Sequence, residues 1–153
     1  EMCIRDRDIC AETVLGSIIM FKREDMIEIG LYDENLFLYF LDDELCKRIR
    51  DKKKAVIQVE DARAIHEHGQ IKVRNSIKRT FLRHFNFTFD ELYYFYKIKK
   101  HERLINELSN KVPKYFLKLV LNLIILRPNR VAYFLSKIMA FYKFKKIVKK
   151  NII

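Results

Sequence analysis

The sequence predicts an α/β fold for its first half, followed by an α-helical and basic tail. Net charge divides the chain near residue 72: residues 1–71 hold 11 Lys and Arg against 16 Asp and Glu, a net charge of −5, whereas residues 72–153 hold 20 against 4, a net charge of +16. In the first part, apolar runs of strand length alternate with helical spacing, and from residue 74 onward only helical spacing continues. The two parts are therefore expected to have different roles.

Each predicted element follows from the spacing of apolar residues and from the breaks between them. In the first part we predict a strand over residues 14–21, helices over 23–29 and 42–51, and strands over 55–59 and 63–66. In the tail we predict three or four helices from the segments 74–87, 89–108, 115–126 and 131–148, with breaks near 110–113 and 127–128. Both tail breaks contain a proline, which cannot continue a helix.

Three consecutive acids, Asp42, Asp43 and Glu44, directly follow the apolar and aromatic run of residues 37–41. Because a segment with helical spacing begins at these acids, they are expected at a helix N-terminus, where free backbone N–H groups favour negative charge. Two interpretations remain open at this point. Either the acids cap the helix, or one of them is a catalytic carboxylate at the mouth of a pocket.

An ordered series of motifs favours the catalytic interpretation. They are Gly16-Ser17, GLYDE at residues 30–34, FLYF at 37–40, LDDELCKR at 41–48 and HEHG at 66–69. In this order they resemble the second half of the catalytic domain of family 2 glycosyltransferases, and most closely the rhamnosyltransferase-like members that build bacterial surface polysaccharides. The resemblance covers residues 10–75. It implies the C-terminal half of a GT-A Rossmann-like domain, and an inverting transfer from a nucleotide-sugar donor to a saccharide or lipid-linked acceptor.

The resemblance also implies roles for individual residues. Asp42 corresponds to the general base, which takes the proton from the acceptor hydroxyl. The implied acceptor-binding residues are Asp43, Glu44, Asp33 and Glu34, and the implied donor-binding residues are Gly16, Ser17 and Lys72. His66, with His68 in reserve, corresponds to a ligand of a divalent metal, manganese or magnesium. Leu41 departs from the family, which has a glutamate directly before the catalytic aspartate.

The motif order predicts that the chain is part of a longer enzyme. The nucleotide-binding half of a GT-A domain would precede the matched region, and the single Asp-x-Asp string, at residues 6–8, follows no apolar strand. Residues 1–7, EMCIRDR, resemble a translated sequencing adapter. We therefore expect residues 1–7 to be an artefact, 8–73 the C-terminal part of the catalytic domain, and 74–153 a membrane-associating extension. The metal would then be held largely by the missing half, and the chain alone would be inactive.

The basic tail predicts a negatively charged partner. Apolar faces at residues 115–126 and 131–148 lie beside lysines, and neither run reaches the ~18 to 20 apolar residues that cross a bilayer. We predict peripheral binding to an anionic membrane surface, at the cytoplasmic face of the cell membrane. A helical bundle whose apolar stripes face one another is the alternative, and nucleic acid ranks lower because no recognition motif appears. The alternative function is a non-catalytic basic helical module that binds membrane or nucleic acid.

Overall fold

The computed structural model describes residues 8–65, 74–98, 106 and 109–151. The described elements are, in chain order, β1 (Ile9–Cys10), α1 (Arg23–Ile29), α2 (Leu41–Asp51), β2 (Ile57–Gln58), α3 (Ser76–Lys97), α4 (Val112–Ile124) and α5 (Pro128–Asn151). The chain divides into two compact units. The first unit contains residues 8–36 and 40–65 of the described chain, and the second contains residues 37–39 together with those from 74 onward.

The predicted α/β half of a Rossmann-like domain is wrong, because the described chain is mostly helical. Its strands are the two-residue β1 and β2, which pair antiparallel with Ile9 opposite Gln58 and Cys10 opposite Ile57. A Rossmann-like domain needs several parallel strands covered by helices. In the part of the chain that the structure describes, no parallel pair of strands forms.

The predicted strand at residues 14–21 is irregular in the structure. Its apolar side chains lie in solvent, with Leu15 84% and Met20 97% exposed. An isolated strand is not stable in water, because its backbone groups need neighbouring strands and its apolar face needs a layer to pack against. The predicted strand at 55–59 shortens to β2 for the same reason, and residues 63–65 form no strand.

The helix predictions for the first unit are confirmed. Helix α1 has the predicted bounds and ends at Gly30, whose φ of 96° lies in the left-handed region that glycine adopts readily. Helix α2 begins one residue before its predicted start. The buried apolar residues of this unit are Met26, Leu36, Leu45, Cys46 and Val56.

In the second unit, the segments 74–87 and 89–97 belong to one helix, because α3 continues from Ser76 to Lys97. This stretch contains no glycine or proline, and Thr88, between the two segments, is buried within the helix. The other two tail helices form, and each has a proline in its first turn, where the missing N–H is not needed.

Helix α5 packs against both α3 and α4 in the second unit. Along α3 the rings of Phe85, Phe89 and Tyr93 follow one another every four residues, with centroid separations of 6.4 and 6.1 Å. The Nζ atom of Lys143, on α5, lies 4.1 Å from the centroid of the Phe89 ring, a cation–π contact. The aromatic residues of the predicted basic tail therefore form much of its core.

A buried carboxylate holds residues 37–39 to α3. Asp90 is fully buried, and its two oxygens accept hydrogen bonds from the backbone N–H groups of Phe37, Leu38 and Tyr39 at 3.2, 3.0 and 2.9 Å. Three successive N–H groups that point to one anion form a concave backbone site of the kind that binds phosphate in other proteins. Here an internal aspartate occupies it.

Candidate functional site

The acids at the start of α2 do not cap the helix with their side chains. The N-cap residue is Phe40, in the left-handed region with φ 59°, and no side chain caps the helix. Asp42, Asp43 and Glu44 follow in the first turn, where the helix dipole favours negative charge. Each carboxylate is instead hydrogen-bonded to a different partner in the first unit. Those partners determine what each acid can do.

Asp42, the predicted general base, meets Gly16, a predicted donor-binding residue. The backbone N–H of Gly16 donates to Oδ2 of Asp42 at 2.8 Å. A Cβ atom at position 16 would overlap the Asp42 carboxylate, so the approach requires glycine. Oδ1 of Asp42 makes no hydrogen bond to any residue that the structure describes, which leaves it available to accept a proton. Ser17, the other predicted donor-binding residue here, lies in the same exposed turn.

Tyr32 lies close enough to Asp42 to sense its charge. Burial raises the pKa of the Tyr32 hydroxyl, and the charges of Asp42 and Cys46 raise it further. The hydroxyl therefore stays protonated at neutral pH and can donate a hydrogen bond. Sequence reasoning did not single out Tyr32, although it is the aromatic residue of the GLYDE motif.

Asp43 and Asp33 are hydrogen-bonded within the first unit. Oδ1 of Asp43 accepts a hydrogen bond from the Thr13 hydroxyl at 2.8 Å. Asp33 accepts from the backbone N–H and the side-chain amide of Asn35, both at 2.9 Å, which is a local turn. Glu34 is exposed. Asp43, like Asp42, has a second carboxylate oxygen that is not hydrogen-bonded to a described residue, and Asp42 differs from it by lying beside Gly16 and Tyr32.

Glu44 is buried, with 2% of its surface exposed, and forms an ion pair with Arg48 one helical turn later. Nε of Arg48 donates to Glu44 Oε1 at 2.8 Å, and Nη2 donates to Oε2 at 2.8 Å. The same guanidinium donates to the backbone carbonyls of Ile29, the last residue of α1, and Leu31. Arg48 thus satisfies carbonyls that the end of α1 leaves free, and its charge suits the negative end of that helix.

This arrangement gives Glu44 a role in packing α2 against the end of α1. Sequence reasoning missed Arg48 and also missed Asp90 of the second unit. The signal for Arg48 was its spacing of four residues from Glu44 within the LDDELCKR motif. The signal for Asp90 was a pair of acids, Asp90 and Glu91, among the aromatic residues of α3.

The predicted metal ligands His66 and His68, and the predicted donor contact Lys72, lie outside the described residues. Within residues 8–65, 74–98 and 109–151, no three His, Cys, Asp or Glu side chains lie close enough together to hold a metal ion. The described residues therefore do not supply the ligand set that the resemblance implies.

Helix α4 carries an exposed apolar face. None of its residues is buried, and Leu117 and Ile124, seven positions apart on one side of the helix, are 70% and 73% exposed. Further exposed apolar residues are Phe116, Val120, Leu121, Leu123, Ile125 and Leu126. No described helix is long and apolar enough to cross a membrane. A contiguous exposed apolar surface of this kind typically marks a binding site.

The chain matches no protein-family model, no curated protein and no solved structure.

Proposed function

We propose that Asp42 is the general base of an inverting, nucleotide-sugar-dependent glycosyltransferase that acts in the synthesis of a cell-surface polysaccharide, as the rhamnosyltransferase-like resemblance implies. One observation carries the proposal: the Gly16 backbone N–H donates to Oδ2 of Asp42, which joins residues of two motifs of the ordered series, and Oδ1 has no hydrogen-bond partner among the described residues. That hydrogen bond orients the carboxylate, and Oδ1 can still accept a hydrogen bond from a substrate hydroxyl. The ordered motifs from Gly16 to His66 supply the reaction class.

In the proposed reaction, an acceptor hydroxyl lies within hydrogen-bond distance of Asp42 Oδ1. As its oxygen attacks the anomeric carbon, Oδ1 takes the proton, and the bond from that carbon to the nucleoside diphosphate breaks on the opposite face with its electron pair. The Gly16 N–H keeps the carboxylate oriented. Tyr32 can donate a hydrogen bond to the acceptor or donor sugar. A divalent metal would neutralise the leaving diphosphate, with His66 and His68 as its proposed ligands.

Asp42→Asn is expected to lower sugar transfer on the order of 100-fold while folding is retained, because the amide cannot accept the proton. The assay uses the full-length protein and measures nucleoside diphosphate release from UDP-, GDP- and dTDP-sugars. Asp51→Asn is the matched control, since Asp51 is an exposed acid at the end of α2 that pairs with Lys47 and has no implied role in the site, and it should retain transfer. Equal losses in the two variants, or full transfer by Asp42→Asn, would contradict the assignment.

Gly16→Ala tests the same site without changing the base itself. The added methyl group displaces the Asp42 carboxylate, so transfer should fall while the urea midpoint changes little, because the short aspartate side chain can rotate away. Ile18→Ala, next to the same turn and exposed, is the control for changes that leave Asp42 in place.

We infer a second function for the helical unit, binding to an anionic membrane surface at the cytoplasmic face. The exposed apolar face of α4 supports it, together with the net charge of +16 in residues 72–153. Apolar side chains enter the interface, and each Lys or Arg near anionic headgroups contributes about 1 kcal/mol. Nucleic acid is less well supported, because the exposed side chains of α4 are mostly aliphatic and do not stack on bases. A non-catalytic module with this binding alone is the alternative to the enzyme.

Flotation with vesicles tests the membrane interaction. The chain should bind phosphatidylglycerol vesicles at low salt, bind phosphatidylcholine vesicles weakly, and dissociate as salt rises. Leu117→Gln with Ile124→Gln should weaken binding about tenfold or more, since two apolar side chains no longer enter the interface. Met139→Gln with Tyr142→Gln removes two exposed side chains of α5 and is the control. Binding that ignores anionic lipid, or equal losses in both double variants, would exclude this surface.

A further inference from the structure

The second unit contains an apolar groove where α3 begins, α4 ends and α5 begins. Its volume is about 880 Å³, within the range of roughly 300 to 1,000 Å³ typical of small-molecule sites. Apolar side chains from all three helices line it, among them Ile77, Phe81, Leu123, Val131 and Leu135. Such a lining favours a hydrocarbon chain over a polar ligand.

Two cationic side chains, Lys78 and Arg127, also line the groove, and its lining includes no acid. Neither forms an ion pair with a residue that the structure describes. The first turns of α3 and α5 also lack acids, so no described negative charge beside the groove balances the two cations. An anionic group next to a hydrocarbon chain complements this arrangement.

The remaining polar side chains of the lining already have partners in the helices. Asn75 accepts from the backbone N–H groups of Ile77 and Lys78, and Asn122 donates to the Lys118 carbonyl. A nucleotide base or a sugar would need polar groups of this kind for its own hydrogen bonds. These side chains therefore favour an amphiphile, whose polar part is confined to its head.

We propose that this groove binds a single-chain lipid with a phosphate head, the hydrocarbon lying against the apolar lining and the phosphate bound by Lys78 and Arg127. A phosphate accepts bidentate hydrogen bonds from arginine and is attracted by the lysine charge. The groove binds a single lipid molecule, whereas the membrane interaction proposed above is binding of the protein to the surface of a bilayer. It requires neither sugar transfer nor Leu117 and Ile124, which do not line the groove.

Calorimetric titration of the chain with dodecyl phosphate, below its micelle concentration, tests the proposal. Saturable one-to-one binding is expected, with dodecyl maltoside and dodecyltrimethylammonium binding at least about tenfold more weakly because they lack the anionic head. Inorganic phosphate should bind more weakly still, because it lacks the chain. Equal affinity for dodecyl maltoside, or no binding of dodecyl phosphate, would overturn the proposal.

Two double variants locate the head. Lys78→Gln with Arg127→Gln should weaken dodecyl phosphate binding about tenfold or more. Lys145→Gln with Lys146→Gln removes the same charge from exposed positions of α5 and should leave the affinity unchanged.

Leu135→Trp introduces the first tryptophan of the chain into the groove, and its fluorescence should shift on binding. Equal losses in both double variants, an unresponsive indole, or a groove covered by a second copy in sedimentation would each contradict the site. These measurements use neither vesicles nor nucleotide sugars. A negative result for lipid binding in the groove is therefore separate from a negative result for membrane binding or sugar transfer.

Discussion

Asp90→Ala is expected to lower the free energy of unfolding of the second unit by roughly 3 kcal/mol or more. The substitution removes the acceptor for three backbone N–H groups, those of Phe37, Leu38 and Tyr39, whose part-buried hydrogen bonds contribute about 1 kcal/mol each. The carboxylate is fully buried, so water does not readily replace it. Asp90→Asn should give an intermediate loss, because the amide keeps one acceptor oxygen and directs an NH₂ group toward backbone donors.

Urea unfolding followed by circular dichroism gives the stability change, and amide hydrogen exchange locates it. In Asp90→Ala the three amides of residues 37–39 should exchange much faster than in the parent chain. Glu91→Gln is the matched control: burial raises the pKa of this half-buried acid, so its charge is already disfavoured and its loss should cost little. If residues 37–39 kept their exchange rates in Asp90→Ala, the assigned hydrogen bonds would be wrong.

Arg48→Met is expected to destabilise the first unit by roughly 3 to 5 kcal/mol, the range for removing one partner of a buried ion pair. The variant leaves Glu44 buried without its counter-charge and leaves the carbonyls of Ile29 and Leu31 without their donor. Arg48→Lys should recover only part of this loss, because an ammonium group cannot reach the carboxylate and two carbonyls in the same geometry.

A double substitution separates the charge from the packing. Glu44→Gln with Arg48→Met should be more stable than Arg48→Met alone, because the uncompensated buried charge is gone. Lys47→Met is the control, since its partner Asp51 is an exposed residue one turn away and such pairs contribute about 0 to 1 kcal/mol. Thermal unfolding of Arg48→Met, Arg48→Lys, the double variant and Lys47→Met measures these differences in stability. A loss in Lys47→Met as large as that in Arg48→Met would show that charge alone, and not the buried pair, sets the stability.

The helices of the first unit could be predicted because their signals are local. Apolar spacing places α1 and α2, and Gly30 marks the end of α1. The predicted strand at residues 14–21 failed because an apolar run becomes a strand only when a neighbouring strand pairs with it, and the sequence does not state whether that neighbour exists. The sequence left the tail at three or four helices, and the structure continues α3 through residue 88, where no helix-breaking residue occurs.

For the candidate site, the sequence identified the acidic residues but did not predict which residues they contact. Three acids in the first turn of α2 are electrically equivalent in the sequence, yet one is held by Gly16, one by Thr13 and one by Arg48. The resemblance assigned Gly16 and Asp42 to one site, and the structure joins them by a hydrogen bond. It gave Glu44 an acceptor-binding role, whereas the structure buries that side chain against Arg48.

The sequence by itself determined the positions of α1 and α2, the charge division near residue 72 and the acids at the start of α2, since these depend on composition or on residues within a few positions of one another. The tertiary structure alone decided which partner each acid meets: Gly16 for Asp42, Thr13 for Asp43 and Arg48 for Glu44. Asp42 meets its partner across 26 residues, and Asp90 meets Leu38 across 52. Contacts at such separations depend on how the whole chain packs, which local spacing does not encode.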